Sequence, residues 1–413
     1  MMAPVLAGVR VLDIGRYIAG PFCAALLGDL GADVIRVERV EGGEDRWVTP
    51  VAPGGDGALF MQVNRNKRSL ALDLGSPQGL EVLRRQVARA DVVVVNMPAP
   101  TLRKLGLDYE TLSAARPDII LTTATAFGAG GPLSDKVGFD GVAQAMSGAV
   151  HMSGWPGQPA KLMVSYVDYG TALACAFGTV AALYEQRITG LGQLVEGSLL
   201  GTALTMANNV LIEQALLGLD RQATGNRSAL AAPSDIFRVQ DGWIIVQVIG
   251  EPMFRRWAGL LGRADLAGTA PYRSDQERGD NGAALSAIMA EWCAVRTRDT
   301  ALSELATANI SCGSVCSPRE VLADTHVAAS GALVPVEFPG LSQPVPVARP
   351  PVSLSRTPLE IRQRAPTLGE HSSAILAESG YDQEEIAALR QAGVVGMPLS
   401  SGPAGKEADE SWT

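Results

Sequence analysis

The chain has 413 residues, 47% hydrophobic and 19% charged, which predicts a globular protein of two or three domains rather than a disordered one. Its net charge of -9 disfavours nucleic acid and anionic membranes as partners. Three scattered histidines and five irregularly spaced cysteines favour neither a metal site nor a disulfide framework. Catalysis, if present, therefore falls to carboxylates, Tyr, Lys or backbone groups.

Targeting and membrane segments are not expected. The chain start, MMAPVLAGVRVLDIG, lacks the basic and apolar regions of a signal peptide. Gly, Asp, Asn or Gln interrupts each apolar run before it reaches the length of a membrane span. We therefore expect a cytoplasmic protein that does not cross a membrane.

Strand-like and helix-like segments alternate through the first part of the chain. In chain order the pattern predicts a strand over 9–14, a helix over 22–32, a strand over 33–39, a helix over 76–90, and strands over 91–97 and 118–127. Ser76 is a suitable N-cap for the second helix, with Pro77 at its first position. Strands separated by helices predict a parallel sheet covered by helices, and so an α/β fold.

The later part of the chain has a different sequence pattern. It predicts a long helix after Asp168, a brief strand at LVEG, a helix over 198–218, a hairpin over 234–248 turning at Asp241-Gly242, a Pro-rich extended connection over 334–355, and two helices over 368–395. The domain limits we expect are 1–224 for the first part of a large domain, 225–330 for a small α+β domain, 331–396 for a linker and C-terminal part, and 397–413 for a disordered tail.

Basic residues gather in the α/β part, against the negative charge of the whole chain. They are Arg36, Arg39, Arg65, Lys67, Arg68, Arg103, Lys104 and Lys136. Several follow predicted strands, and ligands of open α/β sheets bind outside the carboxyl ends of the strands. The cluster suits a phosphate-bearing ligand, while solvated loop charge is an equal alternative for any single residue. No G-x-G-x-x-G follows the first strand, which argues against a nicotinamide dehydrogenase.

Asp168 lies at the start of a predicted long helix. An aspartate there commonly caps the helix by accepting backbone N–H bonds. The same donors and the helix dipole would keep the carboxylate ionised, and an ionised carboxylate can attack a thioester. The residues alone leave the cap and the nucleophile both open.

The chain resembles the class III CoA-transferase family (CaiB/BaiF type) in several closely spaced sequence motifs. This family includes formyl-CoA transferase and α-methylacyl-CoA racemase. The motifs are LAGVRVLDIGRYIAGPFCAALLGDLGADVIRVER (6–39), NRNKRSLALDL (64–74), ADVVVVNMPAPTLRKLGLDYETL (90–112), GFDGVAQAMSGAVHMSG (138–154), VDYGTALACAFGTVAALYEQRITGLGQLVEGSLL (167–200) and APTLGEH (365–371). The resemblance implies an interlaced homodimer, each chain with a Rossmann-like large domain, shared by its N- and C-terminal parts, and a small domain.

The resemblance also implies the chemistry. It makes Asp168 the nucleophile that takes the acyl group from an acyl-CoA. An anhydride and then an aspartyl-CoA thioester form on Asp168, and CoA finally passes to a free carboxylic acid. A small dicarboxylate is one possibility for that acid. Coenzyme A is then a substrate, with no permanently bound cofactor and no metal. The family's CoA contacts map onto Ile18, Ala19, Arg39, Leu72, Asn96, Met97, Lys104, Lys136, Val137, Gly138 and Phe139.

The chain departs from the sequences of two members of the family, formyl-CoA transferase and the racemase. Formyl-CoA transferase has Gln where this chain has Ile18, and its glycine-rich active-site loop has no clear counterpart in 223–233. The racemase branch has His where this chain has Phe139, which disfavours racemisation. An α-methylacyl-CoA racemase and a non-catalytic CoA-binding protein are the alternatives to a transferase.

Overall fold

The computed structural model describes residues 3–396. Within them the strands are β1 (Arg10–Asp13), β2 (Asp33–Glu38), β3 (Lys67–Leu72), β4 (Val92–Val95), β5 (Ile120–Thr125), β6 (Gly154–Trp155), β7 (Gln158–Pro159), β8 (Leu194–Ser198), β9 (Ser234–Val239), β10 (Gly242–Gln247), β11 (Ser311–Ser314), β12 (Leu333–Val336), β13 (Val345–Ala348) and β14 (Val395–Gly396).

The helices within the same residues are α1 (Ala19–Asp29), α2 (Ala58–Val63), α3 (Pro77–Val87), α4 (Ala99–Leu105), α5 (Tyr109–Ala115), α6 (Asp140–Met146), α7 (Ala149–Met152), α8 (Tyr166–Thr189), α9 (Leu199–Leu217), α10 (Glu251–Leu260), α11 (Asp275–Asp280), α12 (Gly282–Ala294), α13 (Arg298–Thr307), α14 (Pro318–Ala323), α15 (Thr325–Ser330), α16 (Ser372–Glu378) and α17 (Gln383–Gln391). Short 3-10 helices cover Glu44–Trp47 and Ala264–Leu266.

A mostly parallel seven-stranded sheet is the centre of the fold, in the order β14-β3-β2-β1-β4-β5-β8. Only β14 runs antiparallel, paired with β3 at one edge. Every side chain of β4, Val92 to Val95, is buried, because helices cover both faces of the sheet. This confirms the predicted α/β class.

The two faces of this sheet carry separate apolar layers. α1 and α8 supply one layer, and α3, α16 and α17 supply much of the other. Among residues 3–396, α8 alone is long and apolar enough to cross a membrane on length and composition. The expectation that no apolar segment reaches that length was therefore wrong for α8. It packs on α1, β5 and β8, and a sheet-covering helix passes the same test.

Local sequence signals placed most of these elements. α3 begins at Pro77, and the Ser76 side chain accepts the Gly79 N–H at 3.0 Å, as the capping pattern predicts. The LVEG segment forms β8, parallel to β5. β3 was missed, because its first two residues are Lys67 and Arg68 and their burial depends on partners distant in sequence.

The described chain divides into two compact units. The first, the sheet unit, extends through Ala143, continues over Val164–Met206 and resumes at Gly331, so the C-terminal part contributes β14, α16 and α17 to it. The Pro-rich segment in this unit forms the β12-β13 hairpin.

The second unit, the hairpin unit, consists of Gln144–Met163 and Ala207–Ser330, more chain than the predicted 225–330. Its antiparallel sheet has the order β11-β10-β9, and β9 and β10 turn at Asp241-Gly242 as predicted. Phe254, Trp257 and Met289 are buried in its core. The predicted tail, 397–413, lies outside the described residues.

Candidate active site

Two cavities of the sheet unit lie at the carboxyl ends of its parallel strands. The larger, about 470 Å³, is lined by residues that end β1, β2 and β3, including Ile14, Glu38 and Leu72. The smaller, about 330 Å³, is lined by residues at the ends of β4 and β5. Arg16, Met97 and Thr101 line both cavities, so the two are adjacent. This is the edge at which open α/β sheets bind their ligands.

The structure brings most of the predicted site residues to these cavities. Arg39 and Leu72 line the larger one, and Met97 lines both. The smaller one is lined by Asp168 together with Ile18, Ala19, Asn96, Lys136, Val137, Gly138 and Phe139. Lys104 is separate: it is exposed in the last turn of α4 and lines neither cavity.

The loop between β1 and α1 forms a wall of both cavities, and hydrogen bonds hold Gly15, Arg16 and Tyr17 within it. Asp13 Oδ1 accepts the Gly15 N–H at 2.9 Å. The Asn96 amide accepts the Arg16 N–H at 2.8 Å and donates to the Arg16 carbonyl at 2.6 Å. Tyr17 has a φ of 61°, a left-handed conformation that costs energy for a residue with a side chain, and its N–H donates to Asp45 at 3.3 Å. The surrounding groups thus fix the loop that precedes Ile18.

Buried ion pairs support this loop from below. We call the following residues the buried ionic cluster: Asp13, Arg36, Glu38, Asp45, Arg46, Asp56 and Lys67. Lys67 Nζ donates to Asp13 at 2.7 Å and to the Pro21 carbonyl at 2.6 Å, which ties β3 to the start of α1. Burial lowers the pKa of Lys67 to about 8, although the Asp13 carboxylate opposes the shift. Arg36 donates to Asp45 at 2.6 Å.

Part of the expected phosphate-binding cluster is structural instead. Arg65 is buried and pairs with Asp29 at 2.7 Å. Arg68 pairs with Asp33 and Glu378, each at 2.7 Å. β3 begins at Lys67, which places Arg65 and Arg68 at the amino end of the strand and not at the carboxyl end, where open α/β sheets bind their ligands. Of the predicted basic residues, Arg36, Arg39 and Lys136 line the cavities; Arg36 is buried and paired with Asp45, whereas Arg39 and Lys136 are exposed.

Asp168 is the third residue of α8, and Ser165 is the N-cap, so the prediction that Asp168 caps the helix was wrong. Its side chain is half-buried in the smaller cavity. Burial, followed by the nearby Asp140 carboxylate, raises the pKa of Asp168 to about 7. The prediction that the helix start holds Asp168 ionised was therefore wrong in direction, because burial and the Asp140 charge both favour the neutral acid.

Asp140, which lies behind Asp168 and does not line the cavity, was not singled out by the sequence analysis. It is the first residue of α6, and its carboxylate reaches the start of α8, where Oδ2 accepts the N–H groups of Val167 at 2.8 Å and Asp168 at 3.1 Å. It stands in the quoted GFD motif, but nothing in local spacing links it to a helix that begins 26 positions later.

The mouth of the smaller cavity is apolar. Phe139 packs edge-on against Tyr17, with ring centroids 5.5 Å apart, and Val137 is 74% exposed. Within the described chain, none of the residues lining these two cavities is a histidine. His371 instead accepts the Ser69 N–H through Nδ1 at 3.3 Å.

Metal and disulfide chemistry have no support in the described part of the chain. Among residues 3–396 no group of three or more His, Cys, Asp or Glu side chains is arranged to hold a metal ion. All five cysteines are free thiols. Burial raises the pKa of Cys175, the thiol nearest Asp168 in sequence, to about 11, which makes it a poor nucleophile.

Comparisons with known proteins show which family the chain resembles along most of its length. A family profile described as CoA-transferase family III matches residues 6–372. The chain is 33% identical to a succinate–glutarate CoA-transferase from Agrobacterium fabrum, over 91% of this chain and 96% of that protein. It is 32% identical to the beta subunit of a succinyl-CoA–L-malate CoA-transferase from Chloroflexus aurantiacus, over 94% and 98% of the two chains. The crystal structure of a CaiB/BaiF family protein from Brucella suis is similar, with a TM-score of 0.79 and 34% identity, over 92% of this chain and all of that one.

Proposed function

The chain belongs to the class III CoA-transferase family, and we propose that it moves CoA between two dicarboxylic acids through a covalent intermediate on Asp168. One observation carries the assignment of the nucleophile. Asp168 is the carboxylate that lines the smaller cavity together with the residues matched to the family's CoA contacts.

The proposed chemistry runs in two symmetrical halves. An Asp168 carboxylate oxygen attacks the thioester carbonyl carbon, and the C–S bond breaks to release CoA thiolate and leave a mixed anhydride. The thiolate then attacks the aspartyl carbonyl of the anhydride, which gives an aspartyl-CoA thioester and frees the first acid. The second acid, as a carboxylate, attacks this thioester, and the same steps in reverse produce the new acyl-CoA and restore Asp168.

The start of α1 suits the oxyanions that form in these steps. α1 begins at Ala19, and both Ile18 and Ala19 line the smaller cavity with Asp168. The amides in the first turn of a helix have no acceptor inside that helix. They can therefore donate to a tetrahedral oxyanion, and the fixed loop before them keeps their direction constant.

The cations around the two cavities suit an acyl-CoA that carries a second carboxylate. Arg39 lines the larger cavity, Lys136 the smaller one, and Arg16 both. In our proposal the larger cavity receives the nucleotide part of CoA and the smaller one the thioester. Named relatives act on succinyl-CoA with glutarate or malate, and we propose the same class of substrates for this chain.

Trapping with hydroxylamine tests the nucleophile. The protein would be incubated with succinyl-CoA and other acyl-CoAs, and we expect mass spectrometry to find a hydroxamate on Asp168. Asp168→Ala should abolish transfer from succinyl-CoA to glutarate while leaving CoA binding within about threefold. Glu110→Ala, which removes an exposed carboxylate on α5, is the matched control. Transfer by Asp168→Ala at the wild-type rate would refute the proposal.

A racemase is the alternative within the same family, and the cavity disfavours it. Racemisation needs an acid and a base on opposite sides of the α-carbon, and Phe139 has no proton to exchange where the racemase branch has His. Incubation with a pure (R)-2-methylacyl-CoA separates the two functions. Appearance of the (S) epimer without an acceptor acid would favour the racemase.

We also propose that the protein is a homodimer in the cytoplasm. The interlaced pairing is what the family resemblance implies, and an apolar stripe on α8 supports a partner surface: Leu173, Phe177, Tyr184 and Ile188 are exposed, Phe177 by 78%. The free thiols fit a reducing compartment. We expect light scattering to give the mass of two chains, and Phe177→Glu to shift the protein toward one.

A further inference from the structure

The cap of α8 comes from another helix. The N–H groups of Val167 and Asp168 are the second and third of the helix, which an N-cap side chain normally binds. Ser165, the N-cap residue, makes no such side-chain bond. Asp140 Oδ2 binds both groups instead, at 2.8 and 3.1 Å, and Asp140 is only 6% exposed.

We propose that Asp140 is the positioning residue for Asp168, and that its carboxylate sets both the direction and the basicity of the nucleophile. This inference rests on the proposed role of Asp168 and adds a second residue to it. Asp140 acts through the backbone at the start of α8 and does not line the cavity, so it is a positioning residue and not a catalytic one.

The direction of Asp168 follows from the bonds around Val167. The Val167 N–H is held by Asp140, and its carbonyl accepts the Thr171 hydroxyl at 2.8 Å. That hydroxyl is also 2.8 Å from the hydroxyl of Thr202 on α9. With the Asp168 N–H bound as well, the peptide group before its Cα is fixed, and after the Cα the Tyr169 N–H donates to the Ser165 carbonyl at 3.2 Å. The carboxylate can then point into the cavity without losing entropy at each turnover.

The basicity follows from the charges that face Asp168. Burial is the first cause of its raised pKa, and the Asp140 carboxylate is the second. Arg16 and Lys136 line the same cavity, and Tyr166 and Tyr169 flank Asp168 on α8, but Asp140 is the residue whose charge raises this pKa. A more basic carboxylate is a stronger nucleophile once ionised, and it is a poorer leaving group from the mixed anhydride than a less basic one.

Two substitutions of Asp140 separate these effects. Asp140→Asn keeps an oxygen that can accept the two N–H groups but removes the charge. Asp140→Ala removes both. Asp108→Asn is the matched control, because Asp108 caps α5 by accepting the Thr111 N–H at 3.0 Å and lines neither cavity. Each protein would be assayed with succinyl-CoA and glutarate between pH 5 and 9, with circular dichroism and light scattering to check the fold.

We expect Asp140→Asn to move the acid limb of kcat/KM down by about one pH unit, because Asp168 would then ionise at lower pH. Its kcat at pH 8 should fall about threefold to tenfold, since the nucleophile is less basic. Asp140→Ala should lose about 100-fold in kcat with KM within about threefold, because the carboxylate is no longer held in place. Asp108→Asn should change neither quantity.

An acid limb of Asp140→Asn that coincides with the wild type would overturn the inference, as would an Asp140→Ala enzyme with kcat within twofold of wild type. If Asp140→Ala does not fold, the pH profile of Asp140→Asn still decides, because asparagine is a good cap. Failure of the proposed function looks different: Asp168→Ala would remain active. An inactive Asp168→Ala beside an unshifted Asp140→Asn contradicts only the positioning role.

Discussion

Charged side chains of the same types lie in two layers of the sheet unit, and they differ in burial and pairing. The buried ionic cluster beneath the loop contains Arg36, Arg46 and Lys67, each at most 1% exposed and each bonded to a carboxylate. Arg36, Glu38 and Asp45 of this cluster also line the larger cavity. The cavity-lining charges Arg16, Arg39, Lys136 and Asp168, which lie outside the cluster, are at least partly exposed. Residue type does not distinguish the two layers, so function has to be assigned from burial and partners.

The largest expected effect tests the buried layer. Arg46 donates to Glu38 at 2.8 Å and to Asp56 at 2.7 Å, and its guanidinium lies 3.8 Å from the centre of the Phe60 ring. Arg46→Ala leaves Asp56 without its cation and Glu38 with only Arg36, 3.7 Å away, and breaking a buried pair from one side costs about 3–5 kcal/mol. Urea unfolding should show this loss. Arg39→Ala, at an exposed cation, is the control and should cost less than about 0.5 kcal/mol; equal losses would erase the distinction between the layers.

The second prediction compares two aspartates. Asp13 is paired with Lys67, whereas burial raises the pKa of Asp168 to about 7. Between about pH 4 and 7 folded Asp168 therefore binds more protons than the unfolded chain, so its contribution to stability falls as pH rises through that window. Asp168→Asn cannot ionise. It should be more stable than wild type by about 1–3 kcal/mol at pH 8, and the gain should vanish near pH 4.

Unfolding in urea at pH 8 and at low pH measures this difference. Asp13→Asn is the matched substitution and should destabilise at pH 8, because it leaves the Lys67 ammonium buried without its carboxylate. A destabilised Asp168→Asn at pH 8 would mean that the ionised carboxylate is well satisfied, and would contradict the raised pKa.

How far the sequence predicts this molecule depends on how local each signal is. The Ser76 cap of α3 and the Asp241-Gly242 hairpin were found because a few adjacent residues specify them. β3 was not, since Lys67 is buried only because Asp13 and Asn64 reach it from elsewhere in the chain.

In the candidate site, too, the sequence predicts some features and misses those that depend on residues distant in the chain. Asp168 and most of the residues matched by motif resemblance line one cavity in the structure, and their roles stay a prediction. The direction of the Asp168 pKa shift was wrong, because it depends on desolvation and on Asp140, which local spacing does not reveal. Lys104, placed by resemblance, lines neither cavity.

The third prediction separates the cavity cations from other exposed ones. Lys136 lines the smaller cavity, and no ion pair to its ammonium is found among the described residues. Lys136→Ala should raise KM for succinyl-CoA about tenfold, or about 1.4 kcal/mol, with kcat little changed, because a contact to the bound acyl-CoA away from the reacting bond contributes equally to ground and transition states. Lys104→Ala should change KM less than about twofold. Steady-state kinetics at low salt measures both, and a larger effect at Lys104 would restore the role that resemblance gave it.

The smallest expected effect concerns Glu44, which lies among the cavity charges and opposes them. Its carboxylate is 3.1 Å from Arg39 and 3.6 Å from Arg16, in pairs that are about half exposed. Such pairs contribute at most about 1 kcal/mol, so a CoA phosphate can displace Glu44 at low cost. Glu44→Gln should therefore tighten CoA binding about twofold to fivefold in calorimetry at low salt, and the gain should disappear at high salt because screening weakens the competing pair. Weaker CoA binding in Glu44→Gln would show instead that Glu44 orients the two arginines for the ligand.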